Sequence, residues 1–269
     1  MLQSDGHGSQ TKNGEVQISR AKPAFVFVGG WHCPADSKWF VGPRVCTLSN
    51  GTLIAGYETP QGIYTAISEN QGETWASEAK ASFHDGLSCA NVNLFQMGRK
   101  LYLSYRATGK QANGFYSSLQ VSISNNNGRS WKHHSTVVEY TEASGNFRGV
   151  WEPFLGLLGT KLACFYANDS TSVTPQQNIE YKIWNGKEWT GRTVISDGAK
   201  HRSRDGMPVW IRLTSGEYAC VIESTHLAGE KYPFVVCILY SKDGKHWSEP
   251  VEIYRPTTLF SKAGAPGPD

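Results

Sequence analysis

Charged residues are scarce in this 269-residue sequence: Asp, Glu, Lys and Arg make up 18% of it, and the formal net charge is only +3. The basic residues are scattered rather than gathered into a run with interleaved aromatics, which argues against a nucleic-acid partner. No stretch approaches the roughly 20 apolar residues that a bilayer-crossing helix needs. We therefore expect a soluble protein that binds neither nucleic acid nor a membrane.

Paired cysteines and clusters of metal ligands are also missing. No C-x-x-C pair occurs, and four of the six cysteines sit inside apolar strand patterns, which favours buried free thiols; the six are Cys33, Cys46, Cys89, Cys164, Cys220 and Cys237. With no ligand cluster in view, we expect no metal and no cofactor. The first residues, MLQSDGHGSQTKNGE, lack the basic segment and apolar core of a secretion signal.

Aromatic residues, at 12%, and 28 glycines are plentiful, a composition that suits short strands joined by tight turns. A motif also repeats along the chain, as SENQGETW (68–75), SNNNGRSW (124–131), a shortened WNGKEW ending at Trp189, and SKDGKHW (241–247). The terminal tryptophans are 56, 58 and 58 residues apart, which is enough for four strands with generous loops. The period predicts an all-β protein in which each repeat is one blade of a propeller.

The repeated motif has the composition of a structural turn. A short polar side chain can accept hydrogen bonds from its own turn, the following glycine can take a positive φ, and the tryptophan can pack. We therefore interpret these motifs as blade corners rather than as catalytic or metal sites.

The motifs resemble the Asp boxes of the sialidase superfamily, whose six-bladed β-propellers include several glycosidases. The resemblance implies the same fold here, although the third copy has lost its Ser and Asp. Residues 41–269 would hold four blades and the start of a fifth, after an N-terminal segment at 1–40 that includes a possible closing strand. A complete six-bladed propeller would need further residues, so we expect a truncated chain.

Strand direction predicts which polar residues share one rim of the propeller. The first two strands of each repeat are apolar runs joined by a tight turn. Because they are antiparallel, the start of the first strand and the end of the second strand lie at the same rim, and the tight turn and the Asp box lie at the opposite rim. Charged groups at the ends of inner strands point towards the central depression, where propellers bind ligands. This rim is predicted to carry Arg44, Glu58, His84, Asp85, Asn91, Arg106, Glu152, Asp169, Asp205 and Glu223.

Two of these carboxylates, Glu152 and Glu223, come from consecutive repeats. Glycoside hydrolysis requires such a pair, one to protonate the leaving oxygen and one to attack or to activate water. Each glutamate on its own could equally be an exposed or salt-bridged side chain.

The segments GVWEPFLGLLGTKLACFYANDS and RDGMPVWIRLTSGEYACVIES resemble glycoside hydrolase family 93, the exo-α-1,5-L-arabinanases. Supporting matches are PRVCTLSNGTLIAGYE, ANVNLFQMG and SYR. In that family the glutamate of the WEPF segment and the one ending the second strand of the next blade form the catalytic pair.

The resemblance implies a retaining mechanism, an oligosaccharide or polysaccharide substrate and a secreted protein, and we expect a monomer. We assign Glu152 as nucleophile and Glu223 as acid/base, although the sequence shows nothing that would separate their pKa values.

The predicted substrate-binding residues each have a structural alternative. The arginines could pair with structural carboxylates, and Trp151 could pack rather than form a sugar platform. The predicted set is Arg44, Asn91, Arg106, Trp151, Arg204 and Asp205.

Two other functions stay open. A sialidase could use Arg44 to bind a carboxylate, but ETPQGIYTAIS lacks the aspartate that a sialidase uses as its acid. A non-catalytic carbohydrate-binding propeller would hold Glu152 and Glu223 outside the separation that glycosidases use.

Overall fold

A computed structural model describes residues 43–143, 147–170, 176–226 and 234–256. The predicted N-terminal segment at 1–40 and most of the predicted start of a fifth blade lie outside these residues. The described chain folds into sixteen strands and one short helix: β1 (Arg44–Thr47), β2 (Leu53–Thr59), β3 (Gly62–Ser68), β4 (Ala76–Lys80), β5 (Ser88–Met97), β6 (Lys100–Gln111), β7 (Gly114–Ser124), β8 (Lys132–Glu142), β9 (Val150–Leu158), β10 (Lys161–Asn168), β11 (Asn178–Trp184), β12 (Trp189–Ser196), α1 (Gly198–His201), β13 (Asp205–Arg212), β14 (Tyr218–Ser224), β15 (Val235–Ser241) and β16 (Val251–Tyr254).

The strands form four antiparallel sheets of four consecutive strands each, β1 to β4, β5 to β8, β9 to β12 and β13 to β16. We number these sheets 1 to 4. The first strands of successive sheets pack against one another, β1 on β5, β5 on β9 and β9 on β13. This arrangement places β1, β5, β9 and β13 around a common axis, as the inner strands of a propeller-like, all-β fold.

Apolar side chains fill the spaces between neighbouring sheets rather than one central core. One buried cluster, which includes Ile54 and Leu103, joins sheets 1 and 2. A second, with Val121 and Tyr166, joins sheets 2 and 3. A third joins sheets 3 and 4 around Phe165, whose ring stacks on Trp210 at 4.3 Å between centroids. Sheets 2 and 3 therefore bury both faces against their neighbours, and sheets 1 and 4 each bury one face in the described residues, as blades packed side by side do.

The repeated motifs form near-identical turns between the third and fourth strands. In the second sheet, the backbone N–H of Gly128 donates to Ser124 Oγ at 2.9 Å, and that of Ser130 donates to Asn126 Oδ1 at 3.0 Å. The first sheet repeats both bonds, from Gly72 to Ser68 and from Thr74 to Asn70. The turns are structural, as their composition predicts.

The four tryptophans of the motifs occupy equivalent positions, each at or just before the start of the fourth strand of its sheet. Trp131 Nε1 donates to Thr65 Oγ1 of sheet 1, and Trp189 Nε1 donates to Ser135 Oγ of sheet 2, each at 2.9 Å. Trp247 packs edge-on against Phe165 of sheet 3. These three side chains therefore link sheets 2, 3 and 4 to the preceding sheet.

The cysteines in the described residues are free thiols, and all but Cys46 are buried. This confirms the prediction of buried free thiols for Cys89, Cys164, Cys220 and Cys237; Cys46 is free but only partly buried, and Cys33 lies outside the described residues. Across the described ranges, no helix has the length and apolar character of a membrane-spanning segment.

Candidate active site

Three inner strands carry a bulge at the same end. The pairing of β5, β9 and β13 with their neighbours skips two residues there, and the first of the two has a positive φ: Asn91 at 57°, Glu152 at 57° and Met207 at 50°. A left-handed backbone at residues other than glycine is uncommon and costs about 1–3 kcal/mol. Bulges of this kind re-aim a side chain, and all three residues line a cavity on the axis.

The cavity has a volume of about 330 Å³ and receives residues from all four sheets. Its lining residues are Pro43, Arg44, Glu58, Asn91, Val92, Asn93, Glu152, Pro153, Phe154, Met207, Pro208 and Val209. The volume is at the lower end of the range for small-molecule sites, about 300–1,000 Å³.

The carboxylates of Glu152 and Glu223 meet above Gly206. A methyl group built on Gly206 would lie 3.0 Å from Glu223 Oε1 and 3.2 Å from Glu152 Oε2. The two oxygens are therefore within about 6 Å of each other, which is compatible with the roughly 5–5.5 Å between carboxyl groups in retaining glycosidases. Glycine at this position leaves the space between them open.

The surroundings of Glu152 favour its protonated form. Burial raises the pKa of the Glu152 carboxyl above its usual value, and the nearby charge of Glu223 adds to this shift. Three groups oppose it: the backbone N–H of Met207, which donates to Glu152 Oε2 at 2.5 Å, and the charges of Arg204 and Arg106. Glu152 is thus a carboxyl that holds its proton more tightly than an exposed glutamate does.

Arg106 lies between two carboxylates and an aromatic ring. Its guanidinium carbon sits 5.1 Å from the centre of the Trp151 ring. Burial lowers the pKa of Arg106, and the charges of Glu58 and Glu152 partly offset this effect. Trp151 is fixed in turn by a 2.9 Å hydrogen bond from its Nε1 to Asp169 Oδ1. The structure therefore gives Trp151 a packing role against Arg106, while part of its surface stays exposed.

The structure brings most of the predicted site residues together. Arg44 and Asn91 line the cavity, and Arg106 acts electrostatically on Glu152. Arg204 has an exposed side chain whose charge also reaches Glu152. The two rim residues of the β4–β5 connection lie outside the cavity: His84 Nδ1 is hydrogen-bonded to Tyr105 Oη, and Asp85 pairs with Lys80.

The structure corrects the predicted substrate contact of Asp205. Its side chain is fully buried, and its two oxygens accept hydrogen bonds from Ser196 Oγ and Ser224 Oγ, both at 2.6 Å. A charged group enclosed in this way supports the strand end instead of facing a ligand. Strand direction alone could not show this, because it sets the rim and not the direction of the side chain.

Two site residues had no assigned role in the sequence. Glu58 belongs to the predicted rim, and the structure places it in the cavity wall. Gln177 gives no sequence signal, since it follows a polar loop. It is 1% exposed, its Nε2 donates to the Asp205 carbonyl at 2.7 Å, and that nitrogen lies 3.2 Å from a methyl group built on Gly206.

No group of three or more His, Cys, Asp or Glu side chains in the described part of the chain is placed to hold a metal ion.

Solved structures similar to this chain exist, although comparisons of its sequence found no relative. No family model and no curated protein sequence matches the chain. Solved structures do match. A family 93 α-L-arabinofuranosidase of Fusarium graminearum, solved with arabinobiose, is 23% identical with a TM-score of 0.66. An α-L-arabinanase of Penicillium chrysogenum, also solved with arabinobiose, is 25% identical with the same TM-score.

Each of these two matches covers 79% of this chain and 66% of the solved one, so the chain spans slightly less than two thirds of their length. A thermostable family 43 glycoside hydrolase is 17% identical, with a TM-score of 0.55 and coverage of 85% of this chain and 78% of that one. In its fold, therefore, this chain resembles the arabinan-degrading enzymes of glycoside hydrolase family 93.

Proposed function

We propose that this protein is a glycoside hydrolase that removes arabinose units from the end of α-1,5-linked arabinan. The observation that carries the proposal is the convergence of Glu152, which lines the axial cavity, and Glu223 above Gly206. A small cavity suits the end of a chain better than a polymer lying across the surface. The likeness to structures solved with arabinobiose supports arabinose as the sugar.

The environment of Glu152 supports a division of roles opposite to the one expected from the sequence. A retaining enzyme needs one carboxyl that is protonated at the start and one that is ionised. Because burial raises the pKa of Glu152, this residue suits the role of proton donor. We therefore propose Glu152 as acid/base and Glu223 as nucleophile.

In the first step Glu152 gives its proton to the leaving oxygen while the Glu223 carboxylate attacks the anomeric carbon, so the glycosidic bond breaks as a glycosyl ester forms. In the second step Glu152, now ionised, takes a proton from water. The water oxygen attacks the anomeric carbon, and the Glu223 carboxylate leaves. Configuration is retained because two inversions occur. We also propose, from the family resemblance, that the protein is secreted.

The test is parallel hydrolysis of linear α-1,5-arabinan and sialyllactose, with released sugars separated by anion-exchange chromatography. We expect arabinose from arabinan and no sialic acid. The matched control is Glu217→Gln, which lies on the same hairpin as Glu223 but at the opposite rim and should keep full activity. Sialic acid release without action on arabinan would replace this proposal with a sialidase. Sugar binding without any hydrolysis would replace it with a carbohydrate-binding propeller.

A further inference from the structure

A second polar cluster lies where sheets 1 and 2 meet the cavity: Glu58 and Asn91 line the cavity, and the charge of Arg106 acts on Glu58. Glu58, at the end of β2, accepts a 2.6 Å hydrogen bond through Oε1 from the backbone N–H of Asn91 on β5. The charges of Arg106 and Arg44 both act on the Glu58 carboxylate. This bond ties the wall of sheet 1 to the bulge of sheet 2, and it leaves Glu58 Oε2 available for another donor.

Two buried polar atoms of this cluster lack a partner among the described residues. They are Asn91 Oδ1 and Arg106 Nε. A buried polar atom without a hydrogen bond costs about 1–3 kcal/mol, so native proteins rarely keep one without a reason. The backbone of Asn91 is also held at a positive φ. A ligand with hydroxyl groups would supply the missing partners, because each hydroxyl both donates and accepts.

The charges of the cluster determine which ligand it suits. Arg44 and Arg106 alone would attract a carboxylate, since paired arginines are strong carboxylate ligands. Glu58 lies beside both and supplies an opposing negative charge. A ligand carboxylate entering the cluster would therefore meet Glu58, whereas neutral hydroxyl groups can bond to Glu58 and Arg106 together.

We propose that Glu58, Asn91 and Arg106 form a subsite for the hydroxyl groups of a neutral terminal sugar, and that Glu58 makes the subsite reject sugar acids. The inference rests on the proposed function, because it assigns the terminal sugar of the substrate to this part of the cavity. Glu58 is a specificity-determining residue and takes no part in bond cleavage. Its negative charge turns an arginine pair suited to acidic sugars into a site for neutral ones.

The test is calorimetric titration of the full chain carrying Glu223→Gln, which should not cleave arabinobiose, with arabinobiose and, separately, with N-acetylneuraminic acid; every further variant is made in this background. The variant is Glu58→Gln, whose amide oxygen can still accept the hydrogen bond from Asn91 while the charge is lost. We expect the Kd of arabinobiose to rise about tenfold or more, because hydrogen bonds to charged groups are the stronger ones. We expect the affinity for the acid to increase. Glu69→Gln, at an exposed repeated turn, is the control and should change the Kd of neither ligand.

The inference requires that Glu58→Gln raise the Kd of arabinobiose and lower the Kd of N-acetylneuraminic acid. Unchanged affinity for arabinobiose, or weaker binding of both ligands, would overturn the subsite. If Glu58→Gln does not fold, Asn91→Gly decides the question, because glycine tolerates the positive φ and removes only the side chain. Asn91→Gly should raise the Kd of arabinobiose several-fold without changing the Tm. A Kd equal to that of the chain that keeps Asn91 would overturn the inference.

The outcomes also separate this inference from the proposed function. Cleavage of arabinan by the wild type without the opposite shifts would keep the hydrolase and remove the subsite. Opposite shifts without any cleavage of arabinan would keep the subsite and remove the hydrolase.

Discussion

The two rims of the propeller-like fold use polar groups in opposite ways. At the rim of the repeated turns, serine and asparagine side chains satisfy the backbone of their own loop, as Ser124 and Asn126 do for Gly128 and Ser130. At the cavity rim, Asn91 Oδ1 and Arg106 Nε are buried without partners among the described residues. One rim stabilises the fold, and the other keeps unsatisfied groups that a ligand can use.

The same contrast appears when equivalent positions are compared between sheets. The repeated turn begins with serine in sheets 1, 2 and 4, at Ser68, Ser124 and Ser241. The strand register makes four residues at the cavity rim equivalent, and these are two glutamates, an arginine and an alanine: Glu58, Glu223, Arg106 and Ala167. A repeated backbone with varied side chains at one end indicates that function, rather than folding, selects the residues there.

The strongest test of this comparison is replacement of the two cavity-rim glutamates. With Glu152 as acid/base, Glu152→Gln should lower turnover of arabinan by roughly 10²–10⁴-fold. It should lower turnover of aryl arabinofuranosides much less, because a good leaving group needs little protonation. Glu223→Gln should be severe for both substrates. Steady-state kinetics on the two substrates measures the difference.

Azide distinguishes the two roles further. Added to Glu223→Ala, whose shorter side chain leaves room for it, azide should attack from the vacated side and give the glycosyl azide of inverted configuration. In Glu152→Gln it should intercept the glycosyl ester and give the retained product. The reverse pattern would return the roles to those expected from the sequence, and near-normal activity in both variants would remove this pair from the chemistry.

A smaller effect, on stability rather than on activity, is expected at the rim of the repeated turns. Ser124 is 1% exposed, and Ser124→Ala leaves the buried N–H of Gly128 without its acceptor. The free energy of unfolding should fall by about 1–3 kcal/mol, while kcat and KM for arabinan stay unchanged. Urea unfolding and kinetics provide the two readouts. Ser215→Ala, in the exposed β13–β14 turn, should leave stability nearly unchanged. Lost activity in folded Ser124→Ala protein would contradict the division between the rims.

The features that follow from period and strand direction can be predicted from the sequence. The spacing of the tryptophans predicts the four sheets, and the alternation of strands predicts the rim that holds Glu152 and Glu223. The direction of an individual side chain does not follow from either pattern, which is why the sequence predicts a substrate contact for Asp205 although this residue supports the end of β13. The bulges at Asn91, Glu152 and Met207 have no sequence signal, because a positive φ at such residues arises from tertiary packing.

The smallest expected effect is a pH-dependent difference in stability between Glu152→Gln and the wild type. Burial raises the folded-state pKa of Glu152 above the unfolded value of about 4.3. A carboxyl shifted in this direction stabilises the folded state below its unfolded pKa, and this stabilisation is lost as the pH rises through the folded pKa. Glutamine does not titrate, so Glu152→Gln should gain in Tm relative to wild type as the pH rises from 4 to 8.

The gain should amount to a few degrees, since each kcal/mol corresponds to about 2–4 °C for chains of this size. Glu249→Gln is the matched control with the opposite sign. Hydrogen bonding by Lys200 lowers the pKa of Glu249 at the surface, so its stabilisation is present above the unfolded pKa and lost as the pH falls. The Tm of Glu249→Gln should therefore lie slightly below wild type at neutral pH and approach it in acid. If both differences were independent of pH, the two carboxyls would have equivalent surroundings, and the proton-donor role of Glu152 would lose its physical basis.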